Sequence, residues 1–400
     1  MIDSGDTAFV LMSSALVALM TPGLAFFYGG LVKRKNVLTV MMQSFVAMGL
    51  VSILWFLFAF SLAFGGDVAG LIGNFEFALL RDVGMAPVEG FGNIPFFAFF
   101  VFQMMFAVIT PALMTGAFVD RMNFKAYLWF IGLWSVLVYA PLAHWVWGGG
   151  FLSEWGALDF AGGTVVHVSA GIGALAAVFA LGKRKERKHE MHNIPYVALG
   201  TALLWFGWFG FNAGSALGAN EQAAAAFVNT DIAASVAMIT WLMLSWLIDK
   251  RPSMVGALTG VLAGLVAITP AAGFVEPWAA LVIGAVAALV SFYAVKFRIK
   301  MDWDDALDVW GVHGMAGVVG SLLTGVFAVK AIGGTSGWIE GNFDQFLANL
   351  GATVVAAIFA FVMTWLLLKI LGMFTRLTLT EKEMEAGIDR ALHGEEAYDY

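Results

Sequence analysis

Eleven times along this chain, Asp, Glu, Lys and Arg fall silent for roughly the twenty residues a helix needs to cross a bilayer. The uncharged stretches cover 7–32, 36–66, 90–119, 126–153, 160–182, 191–220, 252–275, 277–295, 309–329 and 345–368, and another, 222–248, is interrupted only by Asp231. Few folds are open to such a chain, because in hydrocarbon every backbone N–H and C=O must find its partner within the protein. The alternation of a membrane β-strand is absent, so the spans read as helices. Charged residues make up 12% of the chain, against about 25% in soluble domains. The fold class expected is an all-α polytopic membrane protein. With no cysteine there is neither disulfide nor thiolate metal site. No basic patch with interleaved aromatics suits nucleic acid. The first six residues hold two Asp and no Lys or Arg, which argues against a cleaved signal peptide.

Orientation follows from the basic residues. With the N-terminus outside, all of the 21 Lys and Arg fall on the inner side except Arg81 and Lys330. An odd number of helices then puts the C-terminus inside. Ten leading helices divide into two fives that enter from opposite sides, the arithmetic of an inverted 5+5 repeat with one extra helix. The halves run from about 7–188 and about 191–330, the extra helix covers about 345–372, and residues 377–400 form a cytoplasmic tail after a membrane domain of 1–376. Helix 5 carries "HVSAGIGAL" (167–175) and helix 10 "HGMAGVVGSL" (313–322), each a His followed by small residues that permit close helix contact.

His167 lies eight residues inside Asp159 and His313 nine inside Asp304, counted from opposite faces. At 1.5 Å per residue each sits about 12–13 Å deep in a core about 30 Å thick. Both approach the midplane, where a pseudo-twofold would bring them together. Ionisable groups at that depth mark pathways or partners. Burial disfavours an imidazolium. Two neutral rings can bond to each other, leave one polar nitrogen each for a small guest, and relay a proton.

Aromatic residues crowd the segments around this pair. "FVFQMMFAVITPALM" (100–114) places Phe102 and Phe106 one turn apart. "WFGWFGFNAGSA" (205–216) places Trp208 and Phe211 at i, i+3, with Ser215 four further on. "HWVWGGG" (144–150) ends a helix at the outer face with Trp147. An interfacial belt and lipid-facing bulk account for such rings. The functional reading is an outer vestibule, where Phe106 and Trp147 offer ring faces to a cation and Ser215 a hydroxyl. In "DFAGGT" (159–164), Asp159 reads as a helix N-cap that would also favour a nearby cation.

Those segments together resemble an ammonium transporter of the Amt/Mep/Rh family. The likeness runs from "MTPGLAFFYGGLVKRKNVL" (20–38) through "WGGGFLSEWGALDFAGGTVVHVSAG" (147–171), "GWFGFNAGSALGANE" (207–221) and "DVWGVHGMAGVVGSLLTGVF" (308–327) to "EAGIDRALHGEEAY" (385–398). It implies a homotrimer in the plasma membrane with one pore per subunit, no enzyme activity and no cofactor. Phe106, Trp147 and Ser215 then correspond to the outer recruitment site for ammonium, and Asp159 to the acid that supports it. Phe106 and Phe211 correspond to a stacked pair that closes the pore below. Trp208 corresponds to a pore-lining residue near the twin histidines His167 and His313. Some relatives also pass methylammonium. In relatives the tail contacts the neighbouring subunit and the inner face binds a PII signalling protein; the matching tail residues include Gly387 and Asp389.

The tail begins with a capping-box pattern, Thr380 and Glu383, on a helix too short to stand alone in water, so it docks on the inner face or stays disordered. The basic loop 183–188 is accounted for by topology, with PII docking as an alternative. Asp231 faces a vestibule or an interface between subunits, or is protonated; the sequence does not choose. Two rival functions remain: an ammonium sensor on the same fold, and a membrane haem or metal protein ligated by the two histidines.

Overall fold

The computed structural model of the chain describes residues 1–184 and 191–398; the basic stretch Lys185, Arg187 and Lys188 lies outside them. Eleven apolar helices stand among the described residues: α1 (Ser4–Leu31), α2 (Arg34–Phe64), α3 (Phe96–Phe118), α4 (Phe124–Glu154), α5 (Gly163–Leu181), α6 (Ile194–Ala216), α7 (Glu221–Asp249), α8 (Met254–Ile268), α9 (Pro277–Lys300), α10 (Trp310–Phe327) and α11 (Phe343–Phe374). Ten are long enough to span a membrane; α8 is shorter. It stops where Thr269–Pro270 turn beneath the loop before α5, and the Pro270 carbonyl accepts the Phe160 N–H at 3.1 Å. We call the end bearing Trp147 and Ser215 outer and the end bearing the tail inner, following the Lys/Arg distribution.

Small residues decide which helices touch. The most extensive pairing is α1 with α6. A Cβ on Gly200 of α6 would lie 2.3 Å from the Phe27 nitrogen, so that approach requires glycine. The crossing of α5 with α10 is tighter: a Cβ on Gly171 would lie 2.0 Å from the Gly314 nitrogen. Backbone meets backbone there, and the histidines on either side are drawn together. Helix α11 packs along α5 and α10 from outside. Its Asn349 amide donates to the carbonyls of Leu158 and Ser321, both at 2.9 Å, tying the loop before α5 to α10.

Between α2 and α3 a small antiparallel hairpin, β1 (Asp67–Val68) and β2 (Ile72–Gly73), lies over the outer end. On the inner side the tail forms α12 (Glu381–Ala386) and α13 (Ile388–His393). The expected capping box is present at Thr380 and Glu383. The tail is docked: Asp389 accepts the N–H groups of Leu38 and Thr39 at 2.9 and 2.8 Å and the Thr39 hydroxyl at 2.8 Å. Its carboxylate thus sits at the positive start of α2, where a helix favours an anion.

Candidate functional site

The start of α5 is built by one carboxylate. Asp159, buried, accepts four amide N–H groups: Gly162 and Gly163 on Oδ1 at 2.8 and 2.7 Å, Thr164 and Val165 on Oδ2 at 2.8 and 3.0 Å. These are the donors a helix start leaves without partners. With them held, residues 163–168 wind as a wider π-helical turn that carries His167. Such turns recur at functional sites. The N-cap reading of Asp159 therefore holds in geometry.

The start of α10 repeats the device with a different residue from the one the depth count used. Asp305, eight residues before His313, accepts the Val309 and Trp310 N–H groups at 3.1 and 2.8 Å, and 310–315 again form a π-helical turn. The counterpart of Asp159 is thus Asp305. Asp304 turns away from its own helix to a buried cluster at the inner end, where Arg184 Nη2 and Arg121 Nη1 hold it at 2.7 and 3.1 Å. Burial alone would raise the Asp304 carboxyl, but Arg184 and then Arg121 hold it below the usual carboxylate range.

The two histidines meet. Nδ1 of His313 lies 3.3 Å from Nδ1 of His167, with the rings 5.4 Å apart and inclined by 26°. Only one hydrogen fits between those atoms, so one ring carries Nδ1–H and the other Nε2–H. The pair is left with one free acceptor and one free donor. Among the described residues no group of three or more His, Cys, Asp or Glu is placed to hold a metal ion.

Rings stack outward from the pair. Trp208 lies 5.4 Å from His167 at 22°, and its Nε1–H donates to Thr269 Oγ1 at 2.8 Å. Phe211 lies 6.0 Å from His167. Phe106 covers Phe211 at 4.2 Å, the planes inclined by 35°. Beside His167, His313, Trp208 and Phe211 is a void of about 10 Å³, room for about one water-sized molecule. Phe102, one turn before Phe106, is fully buried against it and lines none of this path.

Above Phe106 lies an open cavity of about 260 Å³, lined among others by Gln103, Phe106, Trp147, Phe160 and Ser215. Trp147 is fixed because its Nε1–H donates to the Asp159 carbonyl at 2.8 Å. Ser215 donates its hydroxyl hydrogen to the Phe211 carbonyl at 2.9 Å, so its lone pairs remain free to accept. Asp159 does not line the cavity; it acts through the loop that holds Trp147. Below the pair a second cavity, about 210 Å³, is lined by Tyr28, Arg298, Asp308 and His313. Asp308 pairs with Arg298. Burial pushes the Asp308 carboxyl up to about 7 against the pull of Arg298, with Asp305 adding to the rise. His313 borders both the small void and the inner cavity.

Gln103 and the inner carboxylates Asp305 and Asp308 escaped the sequence reading. The equal spacing of eight residues to each His could have found Asp305. Of the tail residues, Asp389 is the anchor described above, and Gly387 takes a left-handed φ of +97° beside Lys35. Asp231 is exposed, on the outward face of α7.

Residues 8–398 match the model of a family described as Ammonium Transporter Family. The chain is 47% identical over 398 residues, 98% of each, to an ammonium transporter of Bacillus subtilis (strain 168). Among solved structures it is similar to Candida albicans Mep2, with a TM-score of 0.90 and 34% identity over 96% of this chain and 88% of that one. It is similar too to a structure described as Sensor Amt Protein, TM-score 0.90 and 30% identity, covering 97% and 98%.

Proposed function

The chain belongs to the ammonium transporter family, multi-pass membrane transporters rather than enzymes, and on that footing we propose how its residues move ammonium. A hydrated ammonium ion loses part of its shell in the outer cavity. There the faces of Phe106 and Trp147 and the Ser215 lone pairs replace water, and Asp159 holds the loop that fixes Trp147. The Phe106–Phe211 pair bars a bare cation from the apolar path below, so the ion gives up a proton at that level. Neutral ammonia passes the rings and bonds along His167 and His313, with Trp208 as the wall.

The His167–His313 contact carries this reading. The pair holds one shared hydrogen, so its two outer nitrogens differ, one donating and one accepting. When a proton enters at the accepting Nε2, the shared hydrogen crosses and the other ring releases its own Nε2–H, so the two outer nitrogens exchange roles in one step of a proton relay. The relay discharges toward the inner cavity, and net transport is electrogenic. Potassium has no proton to give and is excluded. Methylammonium has one and is a slower substrate.

Ammonium jumps on proteoliposomes test this, with methylammonium and potassium as controls. We expect a saturating ammonium current that vanishes in His167→Ala and His313→Ala. A full current in either variant overturns the relay. Binding without flux would make the chain a sensor.

Assembly belongs to the same proposal. A carboxylate facing lipid is costly, and Asp231 is exposed ten residues into α7. A neighbouring copy in a homotrimer covers it. The docked tail, with Gly387 and Asp389, forms the inner face against which a PII protein would bind.

A further inference from the structure

An ammonium ion has four N–H donors, and the recruitment cavity as read from the sequence offers three partners: two ring faces and the Ser215 oxygen. The fourth is missing. Gln103 lines the same cavity, three residues before Phe106 and so on the same face of α3. Its Oε1 is buried and accepts no hydrogen bond. A buried acceptor without a donor is unfavourable and calls for an explanation. The side-chain hydrogens of Trp147 and Ser215 at this cavity are committed, Nε1–H to the Asp159 carbonyl and the hydroxyl to the Phe211 carbonyl.

We propose that Gln103 is a substrate-binding residue whose amide oxygen accepts the fourth N–H of ammonium in the outer cavity and helps set its affinity. A half-turn about the last side-chain torsion exchanges amide oxygen and nitrogen, so a cation arriving in the cavity can draw the oxygen toward itself. The inference rests on reading this cavity as the site where ammonium is recruited.

Three variants separate acceptor from packing: Gln103→Met keeps bulk and removes the acceptor, Gln103→Glu keeps the acceptor and removes the amide donor, and Gln103→Asn withdraws the acceptor by one methylene. Ammonium currents in proteoliposomes give half-saturation and maximum separately. A hydrogen bond to a charged group corresponds to about tenfold in affinity. We expect half-saturation to rise about tenfold in the Met variant and severalfold in the Asn variant, with the maximum within about twofold, and the Glu variant to match or better the parent. Half-saturation unchanged in Met and Asn overturns the proposal, as does a Glu variant that behaves like Met. A parent protein without saturable ammonium current would overturn the recruitment reading instead. If Gln103→Met does not fold, the Asn and Glu variants decide.

Discussion

The segments that begin α5 and α10 use one device in two different surroundings. In each, an Asp eight residues ahead of a His caps the helix and is followed by a π-helical turn that carries the imidazole. The outer Asp159 holds four amides, and its carbonyl fixes Trp147 at the aromatic cavity. The inner Asp305 holds two amides and lies among charges: Asp308 paired with Arg298, and Asp304 gripped by Arg121 and Arg184. The backbone geometry that presents a midplane His therefore does not dictate what lies above it. Outside lies an uncharged aromatic cavity, inside a polar, ion-paired one. The difference lies in side chains around the device, not in the device.

Stranding the amides tests how unequal the two caps are. Each buried donor left unmet costs on the order of 1 kcal/mol or more. Asp159→Ala should destabilise the protein by about 4 kcal/mol and Asp305→Ala by about half that. Thermal melting in detergent reads the difference; equal losses would mean that the extra bonds at Asp159 contribute nothing. The crossing itself is next. A methyl on Gly171 meets the Gly314 nitrogen at 2.0 Å, whereas one on Gly314 has its nearest neighbour at 3.3 Å. Gly171→Ala should cost about 3 kcal/mol and Gly314→Ala about 1 kcal/mol or less, as expected for overpacking. A ranking in the opposite order would show that α5 and α10 can separate freely.

Much of this was legible in the sequence, for physical reasons. Spans announce themselves because hydrocarbon excludes charge, and the His pair because depth can be counted along a helix. What failed was the choice between Asp304 and Asp305. Adjacent carboxylates look alike in sequence, and only the fold shows that one turns to its own helix amides and the other to arginines 120 or more residues away. Gln103 failed for another reason. Its position beside Phe106 is readable from i, i+3 spacing, but the unmet state of its oxygen depends on neighbours from other helices. Asn36 was equally invisible. It accepts the Ile388 N–H at 3.0 Å and donates to Asp120 at 2.6 Å, a link between tail and inner loops that no local pattern encodes.

That link gives the smallest and most specific distinction between the two ends. From Asp304 the contacts run through Arg184 and Asp120 to Asn36 and the tail; among the described residues the outer segment has no such continuation to it. The end of the tail is held by His192, whose Nδ1–H donates to the Val32 carbonyl at 3.1 Å while Nε2 accepts from the Tyr398 hydroxyl at 3.1 Å. Protonated, the ring would donate at both nitrogens and carry its charge into a part-buried place beside Arg34. Burial holds the His192 imidazole below its usual 6.5; the Val32 bond and Asp389 oppose this, and Arg34 adds to it. The sign follows: for a base with a depressed pKa, the neutral, docked state is favoured above pH 6.5 and fades as pH falls through the lowered value. The capping box does not share this change, because the Thr380 amide and Arg376 hold Glu383 down to about 2. Corrected for intrinsic exchange, which itself slows as pH falls, protection over residues 394–398 should therefore drop between about pH 7.5 and about pH 5, while α12 keeps its protection. His192→Gln, which still donates and accepts but does not titrate, should hold the tail end at both values. If the Gln variant loosens in acid as much as the parent, His192 is not the titrating group and the asymmetry between the two ends does not extend to the tail.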